Sequence, residues 1–362
     1  MPSDIRVLLV GTGVVGSAFL EIARGPLASE LKIVAVANSR GIVTAPPDAA
    51  DLEVRSEDLA ALLARPRTAP PPRIDDALLA RLAGERTVLV DATAEEGIVD
   101  LYQRALAAGI HVVTANKKPI AGSWPVREKL FDPALRSGRA QLRYEATVGA
   151  ALPVIETVKN LVRTGDRVKR IDCVLSGTLA FLCNTITDGT PLSKAIAVAR
   201  ERGYTEPDAR EDLGGADVAR KAVILARELG ATIETSDVAL EPFLPGEVLE
   251  AASPETLERD VAKLDASFAA NAERLRRRNE KLVYLARIET SPDGAVSASA
   301  GPVAVPLSHP AAQLQGSSAL VAFTTARHSP EPLVVRGSGA GGAVTASALL
   351  ADIFSATSTG GA

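Results

Sequence analysis

Cysteine is scarce in this chain of 362 residues, which contains only Cys173 and Cys183, each within an apolar stretch. They match neither a metal-ligand pair nor the disulfide framework of a small secreted domain. The sequence therefore predicts a protein of a reducing compartment, and we expect that compartment to be the cytoplasm.

Long apolar runs and an excess of basic charge are also missing. No run reaches the roughly 18 apolar residues that cross a bilayer, and the N-terminus lacks the pattern of a signal peptide. A formal net charge of -4 gives no reason to expect a nucleic acid or an anionic membrane as a partner. With 46% hydrophobic residues, the chain can bury a sizeable core, and its length suits two domains.

Strands alternate with helices in the first part of the chain. Ile5–Val10 is a short apolar run typical of a buried parallel strand, and the stretch that follows predicts a helix ending near Arg24. Further strands are expected at 32–37, 87–93 and 111–115. This alternation predicts an α/β fold in which helices cover both faces of a parallel sheet.

The first strand and the first helix are joined by the segment Gly11-Thr12-Gly13-Val14-Val15-Gly16. In that context Gly11 permits a tight turn, Gly13 lets the backbone approach a pyrophosphate, and Gly16 allows close helix packing. Backbone N–H groups at the start of the helix, at Val14 and Val15, favour an anion. We therefore predict a Rossmann-type dinucleotide site; the alternative is an ordinary corner between a strand and a helix.

The end of the second strand bears on which dinucleotide binds. An acidic residue there would hold the ribose 2′-hydroxyl of NAD, but this chain has Asn38-Ser39-Arg40. A guanidinium and a hydroxyl suit a 2′-phosphate, which favours NADP over NAD. The alternative is that Arg40 is a solvated loop arginine without a part in binding.

The rest of the chain predicts an α+β domain, with helices such as 152–163 and 255–278 and strands such as 295–300. A second glycine cluster precedes a last helix, which could bring the C-terminus back to the first domain. The expected organisation is a nucleotide-binding domain at 1–148, a second domain at 149–336 and a C-terminal segment at 337–362.

Asp217 and Lys221 are four residues apart in a predicted amphipathic helix, so they share one face beside its apolar stripe. That position could hold them at the wall of a cleft. A dehydrogenase of primary alcohols needs a group that accepts the hydroxyl proton as hydride leaves and returns it in the reverse direction. A lysine held away from bulk water can do both. On spacing alone, the alternative of a surface ion pair stays open.

Six segments form a pattern that spans nearly the whole chain. They are Gly-Thr-Gly-Val-Val-Gly at 11–16, Thr-Ala-Asn-Lys-Lys-Pro at 114–119, Tyr-Glu-Ala-Thr-Val-Gly-Ala at 144–150, Ser-Gly-Thr-Leu at 176–179, Gly-Tyr-Thr-Glu-Pro-Asp at 203–208 and Asp-Val-Ala-Arg-Lys at 217–221. This pattern resembles that of the homoserine dehydrogenase family. The resemblance implies reversible NAD(P)-dependent reduction of L-aspartate 4-semialdehyde to L-homoserine, a step in the biosynthesis of threonine, methionine and isoleucine.

The resemblance also implies roles for individual residues. Lys221 would donate or accept the proton, and Glu206 and Asp217 would bind homoserine. Lys117, at the end of a parallel strand, would be a second catalytic residue and a cofactor contact, near the nicotinamide and the substrate. Further cofactor contacts are implied at Thr93 and Gly341.

The resemblance also implies a monovalent cation, for which we expect sodium, in the segment after the first domain. The matching ligands are the carboxylate of Glu145 and the carbonyls of Val148, Ala150 and Leu152, and oxygen ligands suit a hard cation. Ala151 stands where glycine is frequent and could displace that site. The resemblance further implies a homodimer. The chain length leaves no room for a regulatory ACT domain or an aspartate kinase, so we expect no threonine feedback through such a domain.

Two other functions compete with this one. Aspartate-semialdehyde dehydrogenase needs a nucleophilic cysteine, whereas Cys173 and Cys183 lie in apolar elements without an evident histidine partner. A dinucleotide-sensing protein without turnover would keep the glycine loop. It would have no reason to retain Lys117, Glu206, Asp217 and Lys221 together.

Overall fold

The computed structural model describes residues 4–46, 53–68, 73–135, 138–205 and 208–358. The chain forms two compact units, each with its own sheet. The first unit comprises Met1–Ala151 and Ala340–Ala362, and the second comprises Leu152–Gly339.

The first unit is an α/β structure. Up to the start of the second unit its elements are β1 (Ile5–Val10), α1 (Val14–Arg24), β2 (Leu31–Asn38), β3 (Gly41–Thr44), α2 (Ser56–Ala64), α3 (Asp76–Leu82), β4 (Thr87–Asp91), α4 (Val99–Ala107), β5 (His111–Thr114), α5 (Lys117–Ile120), α6 (Trp124–Phe131) and β6 (Leu142–Arg143). The strand order is β3-β2-β1-β4-β5-β6, with every pair parallel except β2 and β3. The predicted Rossmann-type sheet is confirmed.

Strand β1 lies at the centre of this sheet, and its Val7, Leu8 and Leu9 are fully buried. Apart from Arg6 it is apolar, because both faces of a parallel sheet are covered. Its neighbours β2 and β4 lie on opposite sides, and the chain passes outward from β1 to β2 on one side and outward from β4 to β5 on the other. This divergence opens a crevice at the carboxyl ends of the strands, where ligands of such sheets bind.

The second unit has a mixed sheet with helices packed against it. Its elements are α7 (Ile155–Arg163), β7 (Val168–Val174), α8 (Gly177–Thr187), α9 (Leu192–Glu201), α10 (Ala209–Leu213), α11 (Ala216–Glu228), β8 (Ala239–Leu240), α12 (Gly246–Leu249), α13 (Pro254–Ala262), α14 (Asp265–Arg277), β9 (Glu280–Thr290), β10 (Val296–Pro306), β11 (Ser318–Thr325) and β12 (Leu333–Ser338). The strand order is β12-β11-β7-β9-β10-β8, antiparallel except between β10 and β8. The predicted second domain of α+β type is confirmed.

The last helix, α15 (Gly342–Thr357), belongs to the first unit. Its Leu349 and Ile353 are fully buried in the same apolar core as Phe19 and Leu20 of α1. The chain therefore returns to the first unit after the second sheet is complete. Within the described part of the chain, no helix has the length and apolar character needed to cross a membrane.

Two predicted helices have different bounds. The helix expected at 255–278 is divided into α13 and α14, although no glycine or proline marks the break. The Asp265 carboxylate, in the first turn of α14, accepts hydrogen bonds from the backbone N–H and the hydroxyl of Ser193 at 2.8 and 2.6 Å. A tertiary contact thus accompanies the start of the second helix. The helix expected from 152 begins only at Ile155.

Strand β10 is longer than predicted, because it continues through Pro302 to Pro306. The Ala300 carbonyl faces the β8 edge, where it accepts a hydrogen bond from the Glu241 N–H at 2.8 Å. Pro302 lies two residues further and so presents its backbone to the same edge. The short β8 pairs with β10 only at Ser299 and Ala300, so the missing N–H of Pro302 removes no bond of that ladder.

Candidate functional site

The glycine loop turns from β1 into α1 at the carboxyl edge of the first sheet. Gly11 has φ +96°, in the left-handed region, and a Cβ there would lie 2.9 Å from the Ala92 carbonyl oxygen. A Cβ at Gly16 would lie 2.0 Å from the Gly11 carbonyl oxygen. The fold itself therefore requires glycine at both positions.

Gly13 is different, since a Cβ there would have no atom of the described residues within 4 Å. It is the N-cap of α1 and provides no side-chain hydrogen bond to the helix. The next residue, Val14, is 79% exposed, while Val15 is half-buried. The start of α1 is thus open to an anion that binds free backbone N–H groups, as a pyrophosphate does.

A second helix start lies beside the first. A Cβ at Gly342, the first residue of α15, would lie 2.9 Å from the Val14 carbonyl oxygen. Gly341 is the N-cap of α15, with φ +114° and no side-chain hydrogen bond to the helix. The predicted cofactor contact at Gly341 therefore adjoins the glycine loop, and two helix N-termini meet there with their positive dipole ends.

A buried polar network holds the ends of β4 and β5. The Asp91 carboxylate accepts hydrogen bonds from the Tyr102 hydroxyl and from the Thr93 backbone N–H, the latter at 2.8 Å. The Tyr102 hydroxyl also lies 2.8 Å from that of Thr114. Burial raises the pKa of Asp91, and it raises the pKa of Tyr102 well above its ordinary value. Tyr102 therefore stays a proton donor, and the network fixes the backbone of Thr93, which is a predicted cofactor contact.

Lys117 follows β5 as the first residue of α5, and its side chain is half-buried. The N-cap of α5 is Asn116, whose Oδ1 accepts a hydrogen bond from the Lys118 N–H at 3.2 Å. The Asn116 amide donates to the Glu95 carbonyl at 2.8 Å and lies 3.4 Å from the Thr93 hydroxyl. Asn116 thereby ties the turn that carries Lys117 to the turn that carries Thr93.

Arg40 lies in the turn between β2 and β3. Its Nη1 donates to the carbonyls of Leu63 and Arg65 at 2.9 and 2.7 Å, at the C-terminal end of α2. Its backbone N–H donates to Asn38 Oδ1 at 2.7 Å, and the Asn38 amide donates to the Thr12 hydroxyl at 2.9 Å. The side chain of Arg40 is thus anchored in the fold at the end of β2, and Asn38 links that end to the glycine loop.

Helix α11 carries the predicted acid–base residue of the second unit. Lys221 is 8% exposed, and its Nζ donates to the Leu175 carbonyl at 2.6 Å. The same nitrogen lies 2.9 Å from Asp217 Oδ2. Leu175 directly follows β7, and the buried stripe of α11 packs on the second sheet. This amine is removed from bulk water, unlike that of an ordinary surface pair.

Residues 203–205 form a loop that adjoins the start of α8, and Glu206, which follows them, lies outside the described residues. The Thr178 hydroxyl, in the first turn of α8, donates to the Tyr204 carbonyl. It also lies 3.3 Å from Asp212 Oδ1. These contacts hold the near end of the loop to the polar start of α8.

The predicted cation segment has an unusual backbone. Gly149 and Ala150 both have positive φ, +82° and +55°. Glu145 is half-buried and begins a short 3₁₀ helix, and its backbone N–H donates to Asp352 Oδ2 at 2.9 Å. Among the described residues, no group of three or more His, Cys, Asp or Glu side chains could hold a metal ion. Ligands in this segment would therefore have to come largely from backbone carbonyls.

Several polar residues to which the sequence pattern gives no role hold the candidate site residues in position. They are Asp91, Tyr102, Asn116, Thr178 and Asp212. Asp91 carries a usable signal, because an acidic residue that ends an apolar strand lies at the ligand edge of a parallel sheet. Tyr102 carries no such signal, because only the packing of α4 against the sheet brings its hydroxyl to the Asp91 carboxylate.

Two family models match nearly the whole chain. The model described as homoserine dehydrogenase matches residues 153–354, and the model of the homoserine dehydrogenase NAD-binding domain matches residues 11–145. The chain belongs to the homoserine dehydrogenase family. Its first unit is accordingly the NAD(P)-binding domain of an oxidoreductase family.

Individual members of the family and a solved structure are also similar to this chain. A homoserine dehydrogenase of Emericella nidulans is 35% identical over 98% of this chain and 98% of its own length. A bifunctional aspartokinase/homoserine dehydrogenase of Zea mays is 40% identical over 74% of this chain, but the match spans only 29% of that larger protein. The crystal structure of a protein of unknown function from Candida auris has a TM-score of 0.85 at 31% identity, covering 98% of this chain and 99% of that one.

The two cysteines bear on the alternative function of aspartate-semialdehyde dehydrogenase, which needs a nucleophilic cysteine. Both are buried and reduced, and burial raises the pKa of Cys173 well above its ordinary value and that of Cys183 to about 12. Neither can supply a thiolate at neutral pH. We therefore expect iodoacetamide to leave activity unchanged over the time in which it inactivates a thiolate enzyme. Rapid inactivation, blocked by substrate, would contradict this expectation.

Proposed function

We propose that this protein is an active homoserine dehydrogenase, which reduces L-aspartate 4-semialdehyde to L-homoserine with NADPH. The observation that carries the proposal is the buried amine of Lys221, held by the Leu175 carbonyl and the Asp217 carboxylate. A protonated amine in this position gives its proton to the aldehyde oxygen as hydride reaches the adjacent carbon. In the reverse direction the neutral amine takes the hydroxyl proton back.

The first unit has the features that a nicotinamide dinucleotide needs. When bound, that cofactor supplies or accepts the hydride at the substrate carbon. The open position at Gly13 and the two uncapped helix starts fit its pyrophosphate. The residues that would hold the cofactor are Gly11, Gly13, Val14, Val15, Gly16, Arg40, Thr93, Lys117 and Gly341.

The carboxylate beside the lysine suits the rest of the substrate. Asp217 is partly exposed beside Lys221, so its carboxylate lies within reach of a substrate that reaches the amine. We assign substrate binding to Asp217 and Glu206, because both enzyme directions involve an amino acid with a charged ammonium group. Lys117 is the corresponding cation of the first unit, suited to the substrate carboxylate or the nicotinamide amide.

We also propose a bound monovalent cation, sodium, at Glu145, Val148, Ala150 and Leu152. A left-handed alanine costs about 1–2 kcal/mol, so the conformation of Ala150 (φ +55°) calls for a compensating interaction. Successive left-handed residues turn their carbonyls out of the regular direction. Carbonyl oxygens together with the Glu145 carboxylate suit a hard cation.

The proposal includes a homodimer in the cytoplasm. Buried, reduced cysteines fit a reducing compartment. Sedimentation of the purified protein should give twice the mass of the chain.

The direct test is the oxidation of NADPH by aspartate semialdehyde, followed at the nicotinamide absorbance. We expect saturable turnover with this aldehyde, and formation of the semialdehyde from homoserine and NADP⁺ at high pH. Propionaldehyde, which lacks the ammonium and carboxylate groups, should be a poor substrate. Binding of NADPH without turnover in either direction would show a sensing protein instead. Phosphate-dependent reduction of NADP⁺ by the semialdehyde, which oxidises the aldehyde to an acyl phosphate, would show aspartate-semialdehyde dehydrogenase.

A further inference from the structure

Two arginines lie together where β2 ends. Arg65 directly follows α2, and its Nη1 lies 3.0 Å from the position that a Cβ on Gly41 would take. The guanidinium of Arg65 therefore extends over the turn between β2 and β3, next to Arg40. The absence of a side chain at Gly41 leaves the space for it.

Hydrogen bonds fix this arrangement from both sides. Arg40 Nη1 donates to the carbonyl of Arg65 at 2.7 Å. Three residues further, the N–H and the hydroxyl of Thr68 donate to the Ser39 carbonyl at 2.7 and 3.1 Å. The segment 65–68 is thus attached to the turn at two points, and these contacts fix the position of Arg65.

Neither arginine is neutralised by an acidic side chain of the described structure. No carboxylate among the described residues forms an ion pair with Arg40 or Arg65. Other arginines of the same unit do have acidic partners: Arg24 pairs with Glu53, and Arg104 with Asp76 and Asp100. Two adjacent guanidinium groups repel one another, so an anion bound between them offsets the electrostatic repulsion that exists in the protein without ligand.

The position of this pair in the sheet indicates which anion it takes. In a Rossmann-type sheet the adenosine ribose lies at the end of the second strand, and Asn38 and Ser39 occupy that end here. We propose that Arg65 binds the 2′-phosphate of NADP together with Arg40, and that it determines the preference for NADP over NAD. The inference rests on the proposed dinucleotide function of this unit.

The two arginines have different tasks. One terminal nitrogen of Arg40 already donates to two backbone carbonyls. Arg40 therefore both holds the C-terminal end of α2 and contributes to phosphate binding. Arg65 has its whole fork available within the described structure, and an arginine fork matches the geometry of a phosphate. Arg65 is therefore the residue whose removal affects phosphate binding without loosening the turn.

The test is the affinity of Arg65→Ala for NADPH and for NADH, measured by titration of nicotinamide fluorescence without substrate. We expect the Kd of NADPH to rise by about 10- to 100-fold, the loss of one or two charge-assisted hydrogen bonds. The Kd of NADH should change less than twofold. The matched control is Arg55→Ala, which removes the same charge from the opposite end of α2 and should leave both affinities unchanged.

Competition separates the phosphate from the rest of the cofactor. Adenosine 2′,5′-bisphosphate should displace NADPH less well in Arg65→Ala than in the wild type, whereas 5′-AMP should compete equally in both. A preference for NADPH that survives intact in Arg65→Ala overturns this inference and leaves the proposed function standing. A wild-type protein that binds no dinucleotide overturns both.

Discussion

Replacing Lys221 with methionine is expected to lower kcat for the reduction of aspartate semialdehyde by about 10²- to 10⁴-fold, the usual contribution of a general acid. Methionine keeps the length of the side chain but has no proton to transfer. Steady-state kinetics with saturating NADPH would measure the loss. The Kd of NADPH should stay unchanged, because the lysine belongs to the second unit.

Two further variants separate proton transfer from charge and from stability. Lys221→Arg keeps the positive charge and a donor for the Leu175 carbonyl, but a guanidinium does not release its proton, so this variant should be nearly as inactive. Arg220→Met removes a cation from the adjacent position of α11 and should retain activity. Without Lys221 the Leu175 carbonyl lacks its donor, and we expect a loss of about 1–3 kcal/mol in unfolding free energy, seen as a lower Tm. Full activity in Lys221→Met would remove the lysine from the mechanism.

Alanine at Gly13 and alanine at Gly16 should fail for opposite reasons. At Gly16 the new methyl group would meet the backbone of Gly11 at 2.0 Å, which cannot yield without moving α1. We expect this variant to lose about 3 kcal/mol of stability or more, with a markedly lower Tm before any ligand is added. At Gly13 the methyl group meets no described atom within 4 Å, so Tm should fall little.

The cost of Gly13→Ala should appear when the cofactor binds. A methyl group at the N-cap of α1 stands where the backbone must approach the pyrophosphate, and we expect the Kd of NADPH to rise by roughly 10- to 100-fold. Gly246→Ala is the matched control, because a Cβ there also has no described atom within 4 Å and it lies at the start of α12. Unchanged NADPH affinity in Gly13→Ala would mean that the pyrophosphate does not approach this loop.

The nucleotide-binding sheet could be predicted because its signals are local. Ile5–Val10 is apolar except for Arg6, and the glycine spacing after it depends on contacts between Gly11 and Gly16, five residues apart. The division between α13 and α14 could not be predicted, since it involves Ser193 in α9, more than 70 residues away. The extension of β10 through Pro302 depends in the same way on how far β8 reaches along its edge.

The glycine loop, the alternation of strands and helices and the family to which the chain belongs were determined by the sequence alone, since each rests on residues that are neighbours along the chain. The burial and the hydrogen-bond partners of the site residues were decided by tertiary structure. Spacing puts Asp217 and Lys221 on one helix face, but only the packing of α11 against the second sheet buries the amine and supplies the Leu175 carbonyl. Arg40 was evident as a cation at the end of β2. Only the docking of segment 65–68 brings Arg65 next to it, because an electrostatic interaction depends on distance in space and not on separation along the chain.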